Sequence, residues 1–200
     1  GTLNAALAAS AADGRRFALH LSTQLPGGFW VVEVRQPAES GSEPFRGAHP
    51  NLVFELDDGG RVTLLAPYPL RPNGGAGIRL WLAAIDVALP LPDYLAAHGR
   101  PIRYGYVRRR WPSSMYQTVF ANEPGSAEMP SAARPFTHAL VTQLVAAGIN
   151  IAPLVLHTGV SSLEDHEPPY EEYFRVPAAT ADAVNATRRR GDRVVAVGTT

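Results

Sequence analysis

Cysteine is absent from this chain of 200 residues. That excludes a disulfide framework, a thiolate nucleophile and Cys-ligated zinc or iron–sulfur sites, and it fits a reducing compartment. No run approaches the roughly 20 apolar residues that a membrane helix needs. The first residues also lack the basic-then-apolar order of a signal peptide, so a soluble, cytoplasmic protein with no membrane partner is expected. Nor is there an excess of charge of either sign. Lys plus Arg and Asp plus Glu number 18 each, so no overall field draws the chain to nucleic acid, and RNA would have to be held by local patches. The hydrophobic content is 46%, enough to bury a core in one large domain or two small ones. Gly and Pro, at 18 each, point to many turns.

The two halves of the chain have different rhythms. Short strand-like runs occupy 15–22, 29–35, 51–56, 61–66 and 78–85, alternating or rich in aromatic and β-branched residues. Asp57-Asp58-Gly59-Gly60 separates two of them, and such residues tolerate positive φ, so 51–56 and 61–66 should form a hairpin. Five strands with no helical pattern between them suggest a small antiparallel β-barrel or sandwich over residues 1–89. The Ala- and Leu-rich stretch 1–12 is read as a helix cut mid-element, and 37–50 and 67–77 as long loops.

Residues 90–112 form a connector in which four prolines oppose a long helix. Arg100, Arg103, Arg108, Arg109 and Arg110 interleave there with Tyr104, Tyr106 and Trp111. Two readings stand side by side: a surface that holds an RNA backbone and stacks on bases, or a solvated linker whose aromatic residues pack on a neighbouring sheet.

From Thr137 the period becomes that of an α/β domain, placed at 113–200. Thr137 caps a helix that Gly148 ends, and 149–156 reads as a strand buried on both faces. Residues 178–190 read as a second helix with arginines in its last turn, and 194–197 as a second buried strand. Helix, strand, helix, strand predicts a mainly parallel sheet, so the fold class is mixed: a β-barrel domain beside an α/β domain. A helix is expected after Thr200, which makes the α/β domain C-terminally incomplete. Ligands of such sheets bind outside the carboxyl ends of the strands, here at Leu156-His157-Thr158-Gly159 and Gly198-Thr199-Thr200.

Five segments carry a resemblance: YQTVFANEPGS (116–126), LVLHTG (154–159), LEDH (163–166), EYFRVP (172–177) and RVVAVGTT (193–200). In order and spacing they resemble the S-adenosylmethionine:tRNA ribosyltransferase-isomerase family of queuosine biosynthesis. The resemblance implies a β-barrel beside an α/β domain, in a protein longer than this chain. It also implies a reaction: the ribosyl part of S-adenosylmethionine moves onto the aminomethyl group of a 7-deazaguanine in tRNA and isomerises to epoxyqueuosine, releasing adenine and methionine. A sulfonium acidifies the neighbouring C5′ hydrogen, so a positioned base can begin the reaction without a metal. S-adenosylmethionine as substrate, tRNA as partner, no metal and a monomer are the expectations.

The residues expected to do this are His157, Glu172, Asp165 and His166 as catalytic groups. Each also has a plainer reading. His157 could be a histidine bonded to a backbone carbonyl at a strand end, and Asp165 and His166 a polar loop. Gly159, Gly198, Thr199, Thr200, Ser131 and Arg134 are expected around the nucleoside, and Arg103, Tyr106, Arg108, Arg109 and Arg110 on RNA. The chain departs from the family where a Pro-Thr-Ala-Gly-Leu-His-Phe motif enters the first helix: here stands Pro130-Ser131-Ala132-Ala133-Arg134-Pro135-Phe136. Pro135 has no titratable group, whereas Ser131 keeps a hydroxyl and Arg134 adds a charge suited to an anion. After Gly159 the usual Gly-Thr-Phe is replaced by Val160-Ser161-Ser162. Two other readings follow: a divergent paralogue with a different acceptor, and a non-catalytic RNA- or nucleotide-binding module.

Overall fold

The computed structural model describes residues 1–38, 41–69, 78–107, 109–161 and 170–198. Seven strands come first: β1 (Ala6–Ala11), β2 (Arg16–Gln24), β3 (Trp30–Ala38), β4 (Gly41–Pro44), β5 (Val53–Glu55), β6 (Arg61–Pro67) and β7 (Leu80–Asp86). Their order is β2-β1-β5-β6-β7-β3-β4, all antiparallel, and an additional β2–β3 pairing closes six of them into a barrel. β4 hangs outside the ring on β3.

Period-two alternation explains the packing. Leu19 pairs with Val34 and Leu21 with Val32, so these four share a face. All four are fully buried, with Phe54, Val62, Leu64 and Trp81. The expected hairpin is β5–β6, turned at Asp57–Gly59 with positive φ at Asp58 and Gly59.

Two expectations are corrected in this half. Residues 1–12 contain a strand rather than a helix: Leu7, Ala9 and Ala11 are buried while β1 pairs with both β2 and β5. Tertiary pairing outweighs the helical preference of alanine, which is only a weak prior. The loop expected at 37–50 contains β4, whose Gly41-Ser42-Glu43-Pro44 lacks strand-forming residues and is held by its ladder to β3.

Residues 91–98 form α1 (Leu91–His98), with Pro92 in its first turn, where a missing N–H costs nothing. The helix buries Tyr94 and Leu95. Beyond it Arg100 exchanges backbone hydrogen bonds with Ala6 (2.8 and 2.9 Å) and Ile102 is buried, which seats this stretch against the barrel.

The remainder holds α2 (His138–Ala146), β8 (Val155–Leu156), β9 (Phe174–Arg175) and α3 (Ala178–Arg189). Thr137 caps α2 by accepting from the Leu140 N–H at 3.1 Å, and Gly148 follows it with φ +80°. The two expected helices are therefore present. The mainly parallel sheet is not formed among the described residues: β8 pairs only with β9, and antiparallel. An apolar run becomes a buried strand only with a ladder partner alongside it. Ile149, Ile151 and Leu154 have none among the described residues and stay 40 to 51% exposed. Residues 194–197 form no strand, and Val195 is 72% exposed.

Candidate functional site

Strand register builds the floor of the site. His20 pairs with Glu33, and alternation puts Ser22 beside His20 and Arg35 beside Glu33, on the face opposite Leu19 and Val34. All four polar side chains are nonetheless buried. Glu33 Oε1 accepts from Arg35 Nη1 (2.8 Å) and Arg79 Nη1 (3.1 Å). Its Oε2 stands 3.6 Å from His20 Nδ1, too far for a hydrogen bond, and neither atom has a hydrogen-bond partner among the described residues. Burial alone would raise the Glu33 carboxyl, but His20 and the two guanidiniums outweigh it and hold the group below its ordinary range.

The turn that follows β8 docks on this floor. Val160 N donates to Ser22 Oγ (2.9 Å), the Tyr170 hydroxyl meets the same Oγ (2.7 Å), and Tyr170 also donates to Val160 O (2.8 Å). Burial raises the Tyr170 hydroxyl to about 12, which keeps it a donor. A side chain at Gly159 would collide with the Tyr170 hydroxyl and lie 2.6 Å from Ser22 Oγ, so this close approach requires glycine. From the other side Glu128 accepts from Ser161 N (2.8 Å), Ser161 Oγ (2.6 Å) and the Tyr104 hydroxyl.

His157 stands at the end of β8, its N–H on Tyr173 O (2.9 Å). The imidazole stacks on the Tyr173 ring (centroids 5.3 Å apart, 21° between planes) and leaves no room for a side chain at Gly125. Its Nδ1 is buried with no hydrogen-bond partner among the described residues. Burial is the largest influence on its acidity and holds the ring below the ordinary histidine range, so it is neutral at pH 7 and can accept a proton.

Glu172 joins this arrangement: its Oε1 accepts from Gly159 N at 2.6 Å, two residues beyond His157. The adjacent Glu171 points to the Tyr68 hydroxyl (2.6 Å), as opposite faces of an extended stretch require. Upstream, 116–126 is laced to the first residues: Thr2 Oγ1 donates to Tyr116 O (2.8 Å), and Gly125 N and Ser126 N donate to Gly1 O (3.0 and 3.1 Å). Thus His157, Gly159 and Glu172 come together with Gly125.

Other expected positions lie elsewhere. Ser131 and Arg134 are exposed, and their side chains bond to nothing in the 157–161 turn among the described residues. Gly198 is exposed, with φ +129°. Asp165, His166, Thr199, Thr200 and Arg108 lie outside the described residues. In the connector Arg103 Nη1 donates to Val107 O (3.0 Å), Arg109 lies 3.4 Å above the centre of the Trp111 ring, and Tyr106 and Arg110 are exposed. Glu128, Ser22 and Tyr170 were not singled out from the sequence. Polar residues inside otherwise apolar strands, Ser22-Thr23 in β2 and Glu33 in Val-Val-Glu-Val, were the available signal.

Over residues 2–200 the chain matches the family described as queuosine biosynthesis protein. An S-adenosylmethionine:tRNA ribosyltransferase-isomerase of Staphylococcus saprophyticus is 31% identical over 201 residues, covering 94% of this chain and 53% of that protein. Enzymes of the same name from Geobacter sulfurreducens and Thiobacillus denitrificans are 35% and 36% identical, over 70% and 74% of this chain and 44% and 54% of theirs. The chain spans about half the length of these curated relatives. No solved structure matches it.

Proposed function

The chain belongs to the queuosine biosynthesis protein family, and on that premise we propose that the full-length protein transfers and isomerises the ribosyl moiety of S-adenosylmethionine onto the aminomethyl group of a 7-deazaguanine base in tRNA. Epoxyqueuosine, adenine and methionine are the products. The relatives' names support the donor and the RNA acceptor. The observation that carries the chemistry is His157, held between Tyr173 and Gly125 with an Nδ1 that has no hydrogen-bond partner among the described residues.

His157 is the base that removes the proton next to the sulfonium, a step that needs an acceptor left unprotonated at neutral pH. Glu172 fixes the turn through one carboxylate oxygen and offers the other to the cationic substrate. Arg109, Arg110 and the neighbouring aromatic residues receive the RNA. The exposed Arg134 and the Pro135 beside it favour a second reading, in which the same donor serves a different acceptor.

Adenine release from S-adenosylmethionine by the full-length protein tests both. Release that requires tRNA carrying the aminomethyl base is the expected result. Release without modification of that tRNA would select the second reading, and no release under either condition would remove both.

A further inference from the structure

We propose that Tyr106 is a stacking site for an unpaired base of the RNA substrate, mounted on the same carboxylate that holds the turn after His157. The inference rests on the tRNA reading above and adds a recognition element that the family match does not assign.

Tyr106 is 82% exposed, the highest value among the large hydrophobic side chains described. It is not a loose surface residue. Its ring lies nearly parallel to that of Tyr104 (centroids 5.9 Å apart, 18° between planes), offset from it so that most of the Tyr106 ring stays open to solvent. The turn beneath it is closed by Val107 N on Tyr104 O (3.0 Å) and clipped by Arg103 Nη1 on Val107 O (3.0 Å). Tyr104 is itself fixed, since its hydroxyl donates to Glu128, the carboxylate that also receives Ser161 N and Ser161 Oγ. Burial and Glu128 raise the Tyr104 hydroxyl far above its ordinary range, so it stays a donor.

An exposed aromatic face on a rigid mount has little conformational entropy to lose when a base lands on it, and stacking needs no particular base. Arg109, flat against Trp111 close by in sequence, adds a cation for the backbone. The adenine of the sulfonium substrate offers a similar face, but a ring this open to solvent suits a base presented from outside.

The test uses full-length protein and a labelled anticodon stem-loop RNA, with S-adenosylmethionine affinity measured in parallel. Tyr106→Ala and Tyr106→Leu should each weaken RNA binding about tenfold, the scale of losing one stacked base. Tyr106→Phe should bind as the parent does, and affinity for S-adenosylmethionine should not change in any of the three. Tyr106 is exposed, so its replacement should leave the fold intact, and unchanged circular dichroism checks this. RNA affinity unchanged in the Ala and Leu variants overturns the proposal, as does a loss confined to S-adenosylmethionine. Parent protein that still modifies tRNA while Tyr106→Ala binds it equally removes this inference alone. Parent protein that binds no RNA removes the function reading with it.

Discussion

Replacing Gly125 with alanine is expected to lower ribosyl transfer by about 10²- to 10⁴-fold, the range that a positioned general base contributes, although Gly125 itself has no side chain to take part. A Cβ there would sit less than 3.0 Å from Nε2, Cδ2 and Cε1 of His157. The imidazole must leave the Tyr173 ring or push the 116–126 segment away. His157→Ala should lose activity to the same extent while keeping its melting temperature within a few degrees. If Gly125→Ala is fully active, His157 does not act from its observed position; if His157→Ala is fully active, it is not the base.

The pH dependence follows from the same ring. Burial lowers the folded-state pKa of His157 below its ordinary value of 6.5, so the folded protein binds this proton less readily than the unfolded chain does. Its contribution to stability is therefore complete above about pH 6.5 and is lost as the pH falls from there through the folded-state value. Activity should fall over the same acid limb. In His157→Gln the difference in melting temperature between pH 7.5 and pH 5.5 should shrink.

Glu33→Ala should cost about 3–5 kcal/mol of folding stability, the usual penalty for breaking a buried ion pair by removing one partner. Arg35 and Arg79 would remain as buried guanidiniums without their shared carboxylate. Against a total of roughly 5–15 kcal/mol for a domain, that is a large fraction. Glu33→Gln keeps the shape and loses the charge, so it should also destabilise, by less. Because the folded-state pKa of Glu33 is lowered, its stabilising effect is present above about pH 4.5 and is lost as the pH falls through the folded-state value. Denaturant titration of both variants measures this, and a loss under about 1 kcal/mol for Glu33→Ala would show that the cluster does not hold the wall.

The barrel was largely legible because alternation is a local signal: Phe17, Leu19 and Leu21 announce the face that they occupy. β1 and β4 were not. Ala6–Ala11 takes its conformation from two neighbouring strands, and Gly41–Pro44 from one. The apolar runs at 149–156 and 194–197 misled in the opposite direction, since hydrophobicity implies burial only when something covers it. At the site, motif position marked His157, Gly159 and Glu172. The roles of Ser22, Glu128 and Tyr170 depend on which backbone groups a docked turn leaves open, and no residue-by-residue pattern carries that.

Closure of the barrel through β2–β3 has a consequence for how the protein can acquire new neighbours. A ring has no rim for strand addition, and within the seven-stranded sheet the outer edge among the described residues is that of the four-residue β4. Neighbours of the other six strands attach through short local contacts instead of an added strand, as Arg100 does with its backbone pair on Ala6 and Val160 at Ser22. Such attachments can change by single substitutions without disturbing the strand register underneath. The barrel is thus a chassis on which the docked 157–161 turn can be re-tailored while the frame stays constant.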